Sequence, residues 1–370
     1  MKKKYLYEQI YSNLKTDILN GDYQAGDQLP TEKELIDAYN VSRLTAKNAI
    51  ALLVEERLVE RIPGKGTFVL DNLPTSVVKK DFTVGVIFSG FSDAFGNQLL
   101  KELILQLEQE QFNVLLKFSN ESQASETRAL EELIAVNVDA LIVLPVEAEF
   151  HNAMLLKLSL SDLPVILIDR YLQGIELPYI RTDNEAASYQ AIKTLLDCGH
   201  QKIAVVYNSQ IDNSSIQDRL KGIEKAYMEY GLILDRSLWV TAIDSTYDTV
   251  ITEPVITQDM QRITEHLNEH PEITAFLTLD YLSSELVLLA NEQIGKQVGK
   301  EYSLIGFDGS LVHSLLPKYS RMIQNEKELA RQTKDLLVRK LHHGQTITKL
   351  TQSIDAQYID FGTVLDITKV

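Results

Sequence analysis

The sequence has a single cysteine, Cys198, in 370 residues. No intramolecular disulfide can form, and a reducing, cytoplasmic compartment is expected. No apolar run reaches the roughly 18 residues that a membrane helix needs. Met1-Lys-Lys-Lys-Tyr-Leu-Tyr-Glu8 carries charge without an apolar stretch, so neither a secretory leader nor a membrane partner is expected. Disorder is equally unsupported. Hydrophobic residues make up 45% and charged residues 24%, near the globular average. At roughly 100–200 residues per domain, the length allows two or three domains.

An overall basic charge is also missing, since the formal net charge is −16. Its distribution matters more than its total. Residues 1–80 hold 12 Lys and Arg against 11 Asp and Glu, whereas the other 290 hold 24 against 41. The acidity is confined to the later part, which leaves the first 80 residues able to meet a polyanion.

In that segment Leu6, Tyr7, Ile10, Tyr11, Leu14, Ile18 and Leu19 fall on one face of a helix that stops at Asn20-Gly21. Thr31-Glu-Lys-Glu34 is a capping box that opens a second helix. Asn40-Val41 breaks it, and Ser42 caps a third helix with an apolar stripe of Ala46, Ala49, Ile50 and Leu53. Leu58–Ile62 and Thr67–Leu70 are β-prone and are joined by Pro63-Gly-Lys-Gly66, a hairpin turn. Helix, helix–turn–helix and hairpin make a winged helix-turn-helix. The second helix of such a motif puts its first residues on base edges in the major groove. Here these are Ser42, Arg43, Thr45 and Lys47. Arg43 suits guanine, and the hydroxyls suit phosphate or base edges. Lys33 begins the preceding helix and Lys65 sits at the wing tip. Each cation alone reads as a solvated surface residue; their convergence on one face points to DNA.

Leu29-Pro-Thr-Glu-Lys-Glu-Leu35, Val41-Ser-Arg-Leu-Thr-Ala-Lys47 and Arg61-Ile-Pro-Gly-Lys-Gly-Thr-Phe-Val69 resemble, in order, the GntR-type winged-helix domain. The resemblance implies that Lys33, Ser42, Arg43, Thr45, Lys47 and the tip Gly64, Lys65 and Gly66 contact DNA. Leu44 stands where the family commonly has a polar residue. Lys47 replaces a common Arg and lacks its planar fork, which favours a phosphate contact.

Residues 71–81 have no period and contain a proline, as a linker would. From Phe82 the pattern becomes short apolar strands alternating with helices. Strands are expected at Thr83–Phe88, Asn113–Phe118, Ala140–Leu144, Val165–Ile168, Lys202–Tyr207, Ala275–Leu279 and Ser303–Phe307. Helices are expected at Asn97–Glu110, Glu126–Val136, Asn184–Cys198, Ser215–Tyr230, Gln258–Glu269 and Tyr281–Glu292. The fold class is α/β, with parallel sheets buried on both faces. Nearly 290 residues suit two doubly wound lobes with a cleft between them. Ligands in such sheets sit beyond the carboxyl ends of the strands. Those ends carry Ser89–Phe95, Asp169-Arg170, Tyr207, Asp280 and Asp308, with Ser215 and Arg219 opening a helix. Acids, an arginine and aromatic faces form a sugar-binding set, because vicinal hydroxyls both donate and accept and C–H faces stack on rings.

Seven blocks in this region resemble the LacI/GalR-type effector domain, which has the periplasmic-binding-protein fold. They include Pro164-Val-Ile-Leu-Ile-Asp-Arg170, Thr182-Asp-Asn184, Ser215-Ile-Gln-Asp-Arg-Leu-Lys-Gly222 and Leu304-Ile-Gly-Phe-Asp308. The resemblance implies effector contacts at Phe95, Arg170, Ser215, Arg219, Asp308 and Gln324, to which Asp183 is added; Tyr207 and Asp280 join the expected effector set from their strand-end positions. It also implies a first lobe of about 82–181 and 325–345 and a second of about 184–323 and 346–370. Leu279 departs from the family pattern, since its side chain cannot bond a hydroxyl, and 240–257 is either a loop over the cleft or an exposed insertion. The two families in one chain imply a transcription regulator, expected to be a repressor. Its partners would be a pseudo-palindromic duplex operator, a second copy of itself and a small sugar, L-arabinose first among the candidates. An activator responding to a sugar or a nucleoside would have the same architecture.

Enzymatic alternatives are weaker. Gly90-Phe-Ser92-Asp-Ala94 is similar to a nucleophile elbow, but no histidine is tied to it. Gly64-Lys-Gly-Thr67 has Val59 where a phosphate-binding loop needs its first glycine, and no G-x-G-x-x-G follows a strand. No cofactor is expected. His266 and His270 have the spacing of a metal-binding pair, but the sequence offers no evident third ligand. Among acidic neighbours they read as a solvated helix face.

Overall fold

The computed structural model describes residues 6–20, 23–56, 58–70, 82–90, 94–146, 152–208, 213–245, 252–309, 319–347 and 350–369. They form two compact units, one on each side of residues 71–81. The expected linker and the Ser92 segment lie outside the described residues.

The first unit contains α1 (Leu6–Asn20), α2 (Glu32–Tyr39), α3 (Arg43–Glu55), β1 (Val59–Ile62) and β2 (Gly66–Val69). The capping box is present: Glu34 N–H donates to Thr31 Oγ1 (3.3 Å), and Thr31 N–H donates to Glu34 Oε2 (2.7 Å). Asn40, at φ 51°, ends α2 in the left-handed conformation that an asparagine tolerates. Ile10, Leu14, Leu35, Ala46, Ile50, Leu53 and Leu58 close the core. β1 and β2 pair antiparallel from Val59↔Val69 to Ile62↔Gly66.

The second unit runs β3 (Thr83–Phe88), α4 (Asn97–Gln109), β4 (Asn113–Phe118), α5 (Gln123–Ala135), β5 (Ala140–Val143), α6 (Ala153–Ser159), β6 (Val165–Ile168) and β7 (Tyr179–Thr182). It continues with α7 (Asn184–Asp197), β8 (Ile203–Val206), α8 (Ser214–Glu229), α9 (Glu253–Glu269), β9 (Ala275–Thr278), α10 (Tyr281–Gln293) and β10 (Ser303–Phe307). β11 (Ser320–Ile323), α11 (Glu326–Leu341), β12 (Thr351–Ile354) and β13 (Gln357–Ile359) complete it. One sheet has the order β12-β7-β6-β5-β3-β4, parallel throughout. The other has the order β13-β11-β10-β9-β8, parallel except for β13 at its edge.

The chain passes between the lobes after β7, after β11 and after β12. The third passage differs from the expected one. Residues 346–370 do not all lie in the second lobe: β12 pairs with β7 in the first, and the chain returns with β13, after which Thr363 bonds Leu304 and Ile367 bonds Cys198. β12 is Thr-Gln-Ser-Ile, mostly exposed, so it has no apolar signal; its partner fixes it. Residues 240–245 are not a loose insertion either. Val240 bridges to Val206, and buried Asp259 accepts from Asp244 N–H, Ser245 N–H and Ser245 Oγ at 2.6–3.0 Å.

Candidate DNA face and effector cleft

On the first unit the recognition helix opens on its own hydroxyls. Thr45 N–H donates to Ser42 Oγ (3.2 Å), and the two side-chain oxygens are 2.8 Å apart. Both residues thus fix the helix start, with Ser42 still exposed. Arg43 follows with its side chain 86% exposed. Glu32 gathers two cations: Arg43 Nε lies 3.6 Å away and Arg61 of the wing 3.1 Å away. Sequence reasoning missed Glu32 and Arg61, because only folding brings α2 and β1 to α3. Leu44 is 67% exposed beside Arg43, a position no core requires. Lys33, Lys47 and Lys65 are exposed. At the wing, Gly64 has φ 77° and Gly66 φ 136°; a Cβ on Gly66 would fall 2.4 Å from Gln28 Nε2. Gln28 Nε2 donates to Lys65 O (3.1 Å), tying the tip to the loop before α2.

In the second unit the strand ends of both sheets converge on Arg219. This side chain, 5% exposed, rises from α8, and its guanidinium stacks 3.9 Å from the Phe307 ring centroid. Its Nε donates to Asn184 Oδ1 (2.8 Å) and its Nη1 to Leu279 O. Gly222 makes this placement possible: a Cβ there would meet Glu185 O at 2.1 Å, so only glycine lets α8 lie this close to α7. Asp169, Asp280 and Asp308 surround the cation electrostatically. Burial pushes all three carboxyls up, Asp308 to about 6, with Arg219 pulling each down. None of them takes a hydrogen bond from Arg219 among the described residues. Gln324 holds Asp308 through Nε2 (2.8 Å) and its backbone N–H (3.3 Å). Ser89 Oγ, Asp169 Oδ1 and Gln324 Oε1 are buried without a hydrogen-bond partner among the described residues. Buried polar atoms are normally paired, so donors and acceptors left over at strand ends suit a ligand rich in hydroxyls.

The lobes touch along one flank. Ser215 Oγ donates to Asp169 O (3.3 Å), Tyr171 N–H to Ser214 Oγ (2.9 Å) and Tyr171 OH to Asp218 Oδ1 (3.0 Å). Asp218 also pairs with Arg181, whose guanidinium lies 5.1 Å over the Tyr171 ring. Glu326, at the start of α11, accepts from Gly96 N–H (3.0 Å) and Leu99 N–H (2.6 Å) and so caps α4 from another helix. Burial raises its carboxyl to about 7.

Three expected effector residues have other duties. Asp183 caps α7 through Ala186 N–H (2.9 Å), and its neighbour Asn184 is the one that meets Arg219. Tyr207 packs edge-on against Trp239 in the second-lobe core, 6.1 Å between centroids. Asp280 lies near Arg219, but its two oxygens accept from Ser283 N–H (2.8 Å) and Oγ (2.6 Å). Arg170 is braced on Pro145 O (3.1 Å) and Val146 O (3.0 Å), and Phe95 packs on the first-lobe core beside α4. Leu279 contributes its backbone carbonyl where its side chain could not. Ser89 and Asp169 were visible as polar strand ends; Asn184 and Glu326 gain their roles only from packing.

Comparison with known proteins agrees with both units. Residues 6–69 match the bacterial regulatory proteins of the gntR family, and residues 84–313 match the periplasmic binding protein domain. The chain is a GntR-type regulator with a periplasmic-binding-protein domain. This regulator is 27% identical to the arabinose metabolism transcriptional repressor of Halalkalibacterium halodurans, over 83% of its own length and 81% of that protein's. It is 28% identical to the protein of the same description from Geobacillus stearothermophilus, over 83% and 84%. Its fold is similar to that of the transcription regulator CcpA of Lactococcus lactis, with a TM-score of 0.64, 22% identity, and 77% of this chain and all of that one covered. The regulator is thus a DNA-binding transcription factor and not an enzyme. None of its described helices is long and apolar enough to cross a membrane.

Proposed function

We propose that the regulator represses sugar-utilisation genes in the cytoplasm and that a small sugar, L-arabinose first, releases it from its operator. The observation that carries this is the convergence on Arg219 of Asp169 from one lobe and Asp308, bonded to Gln324, from the other. A sugar spanning those groups holds both lobes at once. The arabinose repressors among its relatives support the choice of sugar. Arg43, Lys47 and the Lys65 wing tip serve as the DNA contacts, with Lys33, Ser42 and Thr45 on the same face. One winged helix contacts few phosphates, so two copies on a pseudo-palindrome provide the affinity. A sugar that favours one arrangement of the lobes by a few kcal/mol shifts the population away from the operator-bound form.

The test is fluorescence anisotropy of an operator duplex, selected from random sequence by the purified protein, titrated with pentoses, hexoses, disaccharides and nucleosides. Release by L-arabinose alone supports the full proposal. Release by another sugar corrects the effector. Tighter binding with sugar makes the protein an activator-type switch. No response to any of them removes the sensor role.

A further inference from the structure

Away from the cleft, the end of α9 brings together three side chains with metal-binding chemistry. His266, Glu269 and His270 each present one ligand atom, and these atoms lie within 4.8 Å of one another. The two imidazole centroids are 4.5 Å apart. Glu269 stands three residues after His266 in the last turn of α9, and His270 caps that turn, its N–H donating to His266 O (2.9 Å). We propose that these three residues form a site for a divalent transition cation of the zinc, nickel or copper class. Two imidazoles and one carboxylate are the donors such ions prefer, whereas magnesium and calcium favour an all-oxygen set.

Three further features fit a cation here. His266 Nε2 is buried and has no hydrogen-bond partner among the described residues, unlike a ring nitrogen that packing has already satisfied. His270 Nδ1 lies 3.2 Å from Glu272 Oε1. With that nitrogen donating, Nε2 keeps its lone pair for the ion, the usual carboxylate–histidine–metal arrangement. The group also sits where α9 ends, and a helix C-terminus favours positive charge.

The site belongs to the second lobe alone and is separate from the effector cleft. α9 leads into the start of β9, whose opposite end supplies Leu279 O and Asp280 to the cleft. A cation here would therefore bind whether or not a sugar is present.

The experiment is calorimetric titration of the full, tag-free chain with zinc chloride, repeated with H266Q, H270Q and E269Q. One equivalent is expected, with affinity at least tenfold weaker in each histidine variant and also weakened in E269Q. Melting curves without metal should match for all four proteins, since these residues are not in the core. Cobalt(II) reports the geometry, and its visible absorption should be lost in H266Q. Zinc binding that persists unchanged in an H266Q/H270Q double variant would overturn the proposal, as would no saturable binding by the parent chain.

Discussion

Asp169 and Asp308 occupy the same station in the two lobes. Each directly follows a buried parallel strand, β6 or β10, and each is left-handed, at φ 67° and 60°. Each donates its N–H to the next strand at 2.8 Å, Asp169 to Ile180 O and Asp308 to Met322 O. The left-handed turn, unfavourable for a residue with a Cβ, puts both carboxylates within the electrostatic reach of Arg219, with Arg170 also 3.8 Å from Asp169. Sugar binding is expected to depend on that arrangement.

Arg219→Gln should abolish the sugar response, with sugar affinity at least tenfold weaker, while operator affinity stays within about twofold. Anisotropy with and without sugar reads both. Loss of operator binding together with the response would mean misfolding, because the substitution removes the cation that the three buried acids share, leaving Arg170 beside Asp169 alone.

Stability should fall as pH rises from about 5 to 8, partly through Glu326. Its folded value, about 7, lies above its ordinary 4.5, so the native state holds the proton more tightly. The stability it contributes is present below about 4.5 and is lost as pH passes 7. Glu326→Gln keeps an acceptor for Gly96 and Leu99 and removes the charge. Its melting temperature should gain on the parent chain as pH rises. Asp308, at about 6, acts in the same direction, so the slope should flatten without vanishing. Parallel melting curves from pH 5 to 8 would assign the dependence elsewhere.

On the DNA face, Arg43→Ala should cost about 1–3 kcal/mol against the best operator and relax the base preference at one position. Leu44→Gln should act at a neighbouring position, lowering preference for thymine, whose methyl an exposed leucine can cover. Binding measured on duplexes with every base at each position separates the two. A uniform loss across all sequences would make Arg43 a phosphate contact instead.

The wing offers a backbone test. Gly66→Ala puts a Cβ at φ 136° and 2.4 Å from Gln28 Nε2. Gln28 can swing aside, but the strained dihedral remains, at about 1–3 kcal/mol. Operator affinity should drop with the sugar response of the bound fraction preserved. An unchanged affinity would show that the tip does not touch DNA.

Legibility in the sequence tracked how local each signal is. The capping box, the Asn40 break and seven apolar strands stand where spacing put them, because each depends on neighbours in the chain. β7, β11, β12 and β13 were missed. β11 carries the buried Arg321, and β12 is polar and exposed, so only their partners define them. α11 was missed although Asn325, Glu326 and Glu328 open it and Arg339 and Lys340 close it. α9 begins five residues earlier than expected, with Pro254 in its first turn, where a missing N–H costs nothing. Within the cleft, residue type was legible and duty was not: Asp183 and Asp280 serve as helix caps, while Asn184 takes the arginine.

The path of the chain between the lobes bears on biosynthesis. The DNA-reading unit is finished at residue 70. The first lobe is not finished until β12, residues 351–354, lines up along β7, and α11 reaches it only at residues 326–341. During translation a complete DNA reader therefore leaves the ribosome long before either sensor lobe can close its sheet. A message cut short anywhere between those two points yields a chain with its address intact and its receiver unbuilt. Such a product would carry the face that meets DNA and nothing that answers the sugar.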